Sequence, residues 1–584
     1  MKLFGVILLA VSFLVGCSKE QNFDERVIYL VSPEKVAGFD PINASDMYSS
    51  NEMGKVYEGL FEFHPLKRPY ELMPNLAAEM PTVGADGLTY TVKIKKGVFF
   101  HDSPAFKGQK RELKADDFVY SIKRLADPKL MAKGWWVLDD KLVGLNEWRT
   151  KYAQAESVNY ADEIEGLKKI DDYTIQFKLK QAFPQFLYAL AMPYTFVVPK
   201  EAVEHFGKEF LNHPVGTGAF ILPKFEQTNR ITYEKNPNFR EKFYPSEGEE
   251  SDVANGLLAD AGKKLPLVDK IIVDIIVEAQ PKWLGFKRAK NDLLEVPKDN
   301  FEEVIVGSRE LTEDFKSKGI RLHAEAQLDV TFISFNNQND LFKDNKKLRQ
   351  AISLAYNRAQ ANKLFYNDTA IEAQGVIPPG ISGYRKEFKN PYTKYDVDLA
   401  KKLLKEAGYP EGKGLPALSV ETRNDTSSRQ ILEQFADNMK DIGIKVIVSQ
   451  NTWPELVNKV TTKRNQMYTM AWGADYPDAE NFLGLLYCPN QSPGSNGANY
   501  CNPEFDKLYK QAVILQDSPE RTALYEKINE MVALEVPWIF SFHRTKYYVA
   551  HAWLKNYKFM EFNHTQFQYF NVDLEVKKQL SKKF

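Results

Sequence analysis

The chain has 584 residues, with 77 Lys and Arg against 78 Asp and Glu, a formal net charge of −1, 43% hydrophobic and 13% aromatic residues. That length exceeds a single hydrophobic core and predicts about two to four domains. Balanced charge supplies no bulk field for nucleic acid or an anionic membrane surface, and the apolar content excludes a disordered chain.

The N-terminus reads as a targeting segment. Lys2 precedes an apolar run over residues 3–15, closed by Leu14-Val15-Gly16-Cys17. The run is too short for an ordinary membrane span, and no later stretch reaches the length that one needs. The closing tetrapeptide resembles the lipobox of bacterial lipoproteins, in which the Cys is acylated. That resemblance implies a signal peptide over 1–16, lipidation of Cys17 and a polar tether over 17–26. An ordinary secretory peptide is the alternative, and in both cases the mature chain leaves the cytoplasm. Cys488 and Cys501 are the other two cysteines, separated by a stretch rich in Asn, Ser, Gly and Pro. In an oxidising compartment they read as one loop disulfide, and two thiolates are too few for a Cys-only zinc site.

In chain order, the β-branched run 27–31 predicts a buried strand, and Phe39-Asp40-Pro41 predicts a turn. Residues 45–57 lead into a helix. Tyr90, Val92 and Ile94 alternate with polar residues as in a half-buried strand, and 171–179 repeats that pattern. Residues 114–125 have acids in the first turn and apolar residues at helical spacing. Gly216 and Gly218, within His213-Pro-Val-Gly-Thr-Gly-Ala-Phe220, permit positive φ and close backbone approach. A phosphate loop would need a Lys-Ser/Thr pair and a following helix, which are missing here. Residues 240–266, acid-rich and then Gly/Ala-rich, read as a solvated surface insertion of open role before a strand at 268–277.

Further strands are expected at 331–337, 418–420 and 442–446, with an amphipathic helix at 346–358 and helices at 399–407 and 429–441. Residues 418–446 then make a β-α-β unit. Trp453 opens a helix leading to Ala471-Trp472-Gly473-Ala474-Asp475, a buried strand end that delivers an acid. Beside an indole, Asp475 is suited to receive an ammonium group, or else it caps the helix that follows. The catalytic inventory is poor. The eight histidines are dispersed, with no HExxH, and there is no Gly-x-Ser-x-Gly elbow, Walker A motif or dinucleotide fingerprint. An enzyme, a cofactor and a metal site are not expected.

The order of these blocks carries a resemblance. Phe39-Asp40-Pro41 with Tyr57-Glu58-Gly59-Leu60, then "KKGVFFHD" at 95–102, "KADDFVYSIKR" at 114–124, the 213–220 turn and Ala471–Tyr476 resemble the extracytoplasmic solute-binding proteins of the peptide/nickel ABC importer class, over about residues 27–572. The resemblance implies an α/β fold, periplasmic binding protein-like type II, with two lobes joined by a hinge and an extra N-terminal subdomain. It assigns 27–57, 191–305 and 549–584 to lobe I, 58–190 to the extra subdomain and 306–548 to lobe II. It implies a monomeric, membrane-anchored, periplasmic or cell-surface lipoprotein that captures di- to oligopeptides and passes them to ABC permease subunits. Alternatives are a nickel chelate, haem or oligosaccharide ligand, or a peptide-sensing receptor.

By the same resemblance Asp475 meets the ligand ammonium, and Ser45, Asp46 and Met47, with Ala471, Trp472 and Gly473, clamp the peptide backbone as an added strand. Trp453 lines a side-chain pocket. Where relatives place a basic residue for the ligand carboxylate, this chain has Thr469, so Arg423 is the candidate.

Overall fold

The structure, a computed structural model, describes residues 24–43, 46–223, 229–307 and 309–584. The expected signal segment 1–16, Cys17, most of the expected tether and Ser45 lie outside the described residues. Strand Val27–Ser32 runs parallel to Lys270–Ile275, which pairs antiparallel with Arg230–Lys235 and onward to Phe220–Ile221, giving a four-stranded sheet. A second four-stranded sheet lies wholly within residues 82–178, with Thr89–Lys93 and Thr174–Lys178 at its centre. Tyr90, Val92, Ile175 and Phe177 point into the core, as alternation requires.

The third sheet has six strands in the order Ile371–Glu372, Trp538–His543, Asp329–Phe335, Met467–Gly473, Leu418–Arg423 and Val446–Asn451. Helix Thr426–Lys440 joins the last two strands, which are parallel. Gly443, at φ +78°, turns the chain after that helix, so the strand starts at Val446 and the expected strand over 442–446 is a turn.

Two chain crossings link the sheets and lie side by side. Strand Ile320–Ala326 pairs along its full length with Thr545–His551, and each continues within two residues into the six-stranded sheet. The junction is pinned. Gln327 N donates to Arg544 O at 2.7 Å, Arg544 N donates to Asp329 Oδ1 at 2.9 Å, and the Arg544 guanidinium pairs with the same carboxylate. Leu293–Glu295 completes this small sheet over a separate apolar cluster containing Trp283, Phe286, Phe315 and Val549.

The His213–Phe220 turn works by proximity rather than by positive φ. A Cβ on Gly216 would stand 2.1 Å from Val56 O, and one on Gly218 2.5 Å from it. Gly218 N donates to Val56 O, while His101 N donates to Gly216 O, both at 2.8 Å. The turn thereby staples the end of helix Met47–Val56 to the 95–102 loop.

Most of the 240–266 stretch is exposed, as a surface insertion requires, but several of its charged residues are pinned inward. Arg240 forms a two-pronged pair with Glu58 at 2.6 and 2.8 Å, and Lys242 reaches Glu62 at 2.5 Å. Asp252 receives Lys558, and Asp260 receives Asn556 and Asn571. Burial alone would raise the Glu58 carboxyl, but Arg240 overrides it and leaves it below its ordinary value. Arg240, Lys242, Asp252 and Asp260 are therefore anchors to 58–75 and 556–571, which composition alone does not separate from the exposed Glu241, Glu247 and Glu250 around them.

Candidate functional site

Strand Met467–Gly473 is buried at its start and open at its end, contrary to the expected buried strand end. Met467 and Tyr468 are buried, whereas Ala471 and Gly473 are exposed and a Cβ on Gly473 would meet nothing within 4 Å. Its pairing explains the change. Against Asp329–Phe335 it is bonded throughout, from Met467↔Phe335 to Gly473↔Asp329, but against Leu418–Arg423 only at Met467 and Tyr468. Residues 469–473 therefore present one unpaired strand edge among the described residues, a template for another extended chain.

Past this edge the chain enters a dense acidic segment in which three acids are already matched or satisfied. Asp478 pairs with Arg521 at 2.7 Å and also accepts from Glu480 N at 2.9 Å. Glu480 accepts the hydroxyls of Tyr476 at 2.6 Å and Tyr509 at 2.9 Å. Asp506, further on, accepts from Cys488 N at 3.1 Å. Asp475 differs. Its Oδ2 accepts from Asn481 Nδ2 at 2.9 Å, and among the described residues no basic side chain lies within ion-pair distance. Burial pushes its carboxyl above the ordinary value, with the Asn481 bond offsetting only part of that.

Asn481 is the residue that sequence reading missed. Its Oδ1 accepts from both Asp475 N and Trp472 Nε1 at 3.0 Å, so one amide on helix Glu480–Leu483 fixes the acid and the indole together. Asp475 is thus not the cap of that helix, whose first turn is served by Asp478 instead. A possible signal was the spacing in Trp472-Gly-Ala-Asp475 to Asn481, but only the fold shows that the loop turns back.

Asp475, Trp472 and Asn481 line a cavity of about 530 Å³ whose opposite wall is Trp136, Tyr194 and Phe183. Tyr188 stacks on Tyr476 at 6.0 Å and ties the two walls together. Aromatic faces around an unmatched carboxylate suit a cation. Burial pushes the Tyr194 phenol up, and the charges of Asp475 and, less, Asp46 add to that.

The other candidate residues fall elsewhere. Asp46 caps helix Met47–Val56, accepting from Ser49 N and Oγ at 2.8 Å, and its own carbonyl accepts from Ser50 N. Met47 is helical, so the clamp expected at 45–47 is not an extended strand beyond Asp46. Met47 instead borders a second cavity of about 470 Å³ that also contains Tyr48, Glu295 and Glu561. Burial there pushes the Glu561 carboxyl up to about 7. Arg423 and Trp453 meet each other, guanidinium to ring centroid 5.8 Å, at 62% side-chain and 48% exposure. Neither borders the Asp475 cavity, and Arg423 stands 3.8 Å from Asp425. Thr469 Oγ1 bonds Phe332 O at 3.1 Å inside the sheet. Cys488 and Cys501 are joined by a disulfide. No helix among the described residues is long and apolar enough to cross a membrane.

Known proteins resemble the chain along nearly its full length. A di/tripeptide-binding protein from Pseudomonas aeruginosa is 27% identical over 86% of this chain and 86% of its own. The dipeptide-binding protein of Escherichia coli is 27% identical over 95% and 96%. An ABC transporter-associated periplasmic binding protein from Helicobacter pylori, solved in complex with peptide STSA, superposes with a TM-score of 0.70 at 24% identity, covering 94% of this chain and 98% of its own. Its likeness shows the fold, a type II periplasmic binding protein. The family model for bacterial extracellular solute-binding proteins, family 5 Middle, matches residues 71–494. Such proteins are solute-binding components of transport and not enzymes. On that match, more than half its length, the chain belongs to the bacterial extracellular solute-binding proteins of family 5.

Proposed function

We propose that this protein captures short peptides outside the cytoplasm, between two lobes, and delivers them to the membrane permease of an ABC importer. The observation that carries the reading is Asp475, a half-buried carboxylate with no cation of its own among the described residues, beside Trp472 and at the end of an unpaired strand edge. A peptide's α-ammonium supplies the missing charge, and its extended backbone supplies the missing strand. Names of the relatives, which include di/tripeptide- and dipeptide-binding proteins, support the same ligand class.

Capture works through differential binding. A ligand that touches both walls of the cleft stabilises the form in which they are close. In this reading lobe I comprises 27–57, 191–305 and 549–584, the extra subdomain 58–190 and lobe II 306–548, with the paired crossings at 320–326 and 545–551 as the hinge. Acylation of Cys17 holds the protein at the membrane while the polar residues after it act as a tether. Native mass spectrometry of the protein purified without denaturation tests the ligand. The expected result is co-purified peptides with free N-termini. Co-purification of haem, a nickel chelate or an oligosaccharide in their place refutes it.

A further inference from the structure

We infer that Lys95 anchors a second ligand site, apart from the Asp475 cavity, that takes a small organic carboxylate carrying one negative charge. The inference goes beyond the peptide reading and does not depend on it.

Lys95 follows strand Thr89–Lys93 and borders a cavity of about 1140 Å³ formed by residues 93–98, the turn at 171–174 and the chain at 240–241. No residue of this cavity borders the one at Asp475. Behind Lys95 lies a charge network gathered on Asn75, which is fully buried. Asn75 Oδ1 accepts from Arg240 Nη2 at 2.6 Å and from Lys242 Nζ at 2.9 Å, and its backbone O accepts from Lys95 Nζ at 2.6 Å. Three cations thus meet at one asparagine, and two carboxylates answer them: Glu58 is held by Arg240 and Glu62 by Lys242. Among the described residues no carboxylate lies within ion-pair distance of Lys95. One positive charge is therefore left over, on the cation that borders the cavity and has no acid of its own.

An excess charge partly withdrawn from water is costly, and an anion entering the cavity relieves that cost. The effect shows on Lys95 itself. Burial first, then the charges of Arg240 and Lys242, pull its ammonium down to about 8, more than Glu62 and Glu58 restore. The remaining charges around the cavity do not answer Lys95. Asp172 is held by Lys169 at 2.9 Å, Asp171 accepts from Tyr173 N at 2.8 Å, and the exposed Glu241 makes no ion pair among the described residues. On the cationic side, Lys93 pairs with Glu79 at 3.0 Å, and the Lys96 ammonium lies 5.1 Å from the centroid of the Tyr173 ring. One surplus charge calls for a monoanion, since a dianion would reverse the imbalance. The cavity is far larger than a halide needs, and Ala78, Val98 and Tyr173 in its wall offer carbon surface to an organic body.

Calorimetry with the intact protein near neutral pH tests this with benzoate, its uncharged analogue benzamide, and inorganic phosphate. Benzoate is expected to bind, and benzamide roughly tenfold or more weakly, the effect of losing a hydrogen bond to a charged group. Amine labelling read by peptide mass spectrometry should show Lys95 protected by benzoate and not by benzamide. Because a bound anion favours the charged amine, benzoate affinity should fall as pH rises through about 8. Lys95→Arg, which stays charged, should bind benzoate without that fall, and Lys95→Met should lose roughly tenfold or more. Equal binding of benzoate and benzamide, no binding of benzoate to wild type, or undiminished binding by a folded Lys95→Met protein overturns the site. Phosphate bound more tightly than benzoate, with the same dependence on Lys95, overturns its assignment to a carboxylate.

Discussion

Replacing Asp475 by Asn changes the charge and little else. The variant keeps an acceptor for Asn481 Nδ2, now 2.9 Å from Asp475 Oδ2, and Asn481 Oδ1 still accepts from the backbone N of residue 475. What is lost is a charge-assisted bond to the ligand ammonium, about 1.5–3 kcal/mol, or roughly 10- to 150-fold in Kd. Stability should move the other way. Since burial raises the folded carboxyl above its unfolded value, its stabilising contribution is full below the unfolded pKa and is lost as pH rises through the folded one. The unliganded Asn variant should therefore gain thermal stability over wild type increasingly as pH rises, while its ligand-induced shift in Tm shrinks. Wild-type affinity for free N-termini should weaken as pH falls through the raised pKa, and the variant should show no such slope. Calorimetry and thermal melts over a pH series measure both. Unchanged affinity for free N-termini, or an equal loss for N-acetylated peptides, refutes the ammonium role.

Asn481→Ala should cost about 1 kcal/mol or more of binding to free N-termini, and it should shift the fluorescence of Trp472, whose indole N–H loses its partner. An unchanged emission spectrum together with unchanged affinity would dismiss Asn481 as a positioning residue. Arg240→Met leaves Glu58 buried and unpaired, so urea unfolding should show a loss of about 3–5 kcal/mol; a loss under 1 kcal/mol would mean that the stretch after Asn236 is a surface appendage after all. The Glu561 carboxyl, raised to about 7, should make stability fall as pH climbs from its ordinary carboxylate value through about 7. Glu561→Gln should flatten that part of the profile, and a profile identical to wild type would place the titration elsewhere.

Local chemistry made much of this fold legible. Alternation at Tyr90, Val92 and Ile94 and the helical spacing after Asp116 describe half-buried elements whatever they pack against, and both are observed. The order of blocks carried the family resemblance. Legibility ended where a residue's meaning depends on a distant partner. Arg240 and Lys242 read as solvent-facing because Glu58 and Glu62 lie far off in sequence. Asp475 was recognisable as a candidate, but that no basic side chain among the described residues comes within ion-pair distance of it is visible only in the fold. Asn481 had only its spacing from Trp472 and Asp475, which carries no meaning until the loop turns back. Arg423 was the reverse case: a cation of the right type in the right strand, whose side chain stands over Trp453, outside the cavity.

The paired crossings have a mechanical consequence. Two separate tethers would let the halves of the protein slide, twist and splay independently. Strands 320–326 and 545–551 are instead bonded to each other along seven paired positions and clamped at Asp329 and Arg544, so they form one ribbon. A ribbon yields across its thin direction and resists shear in its plane, because sliding would break every rung of the ladder at once. In the two-lobed reading proposed above, relative motion reduces to an arc, and the mouth narrows towards one endpoint rather than many. In that reading a cargo whose length does not match the endpoint is disfavoured by the frame itself, before any side chain reads it.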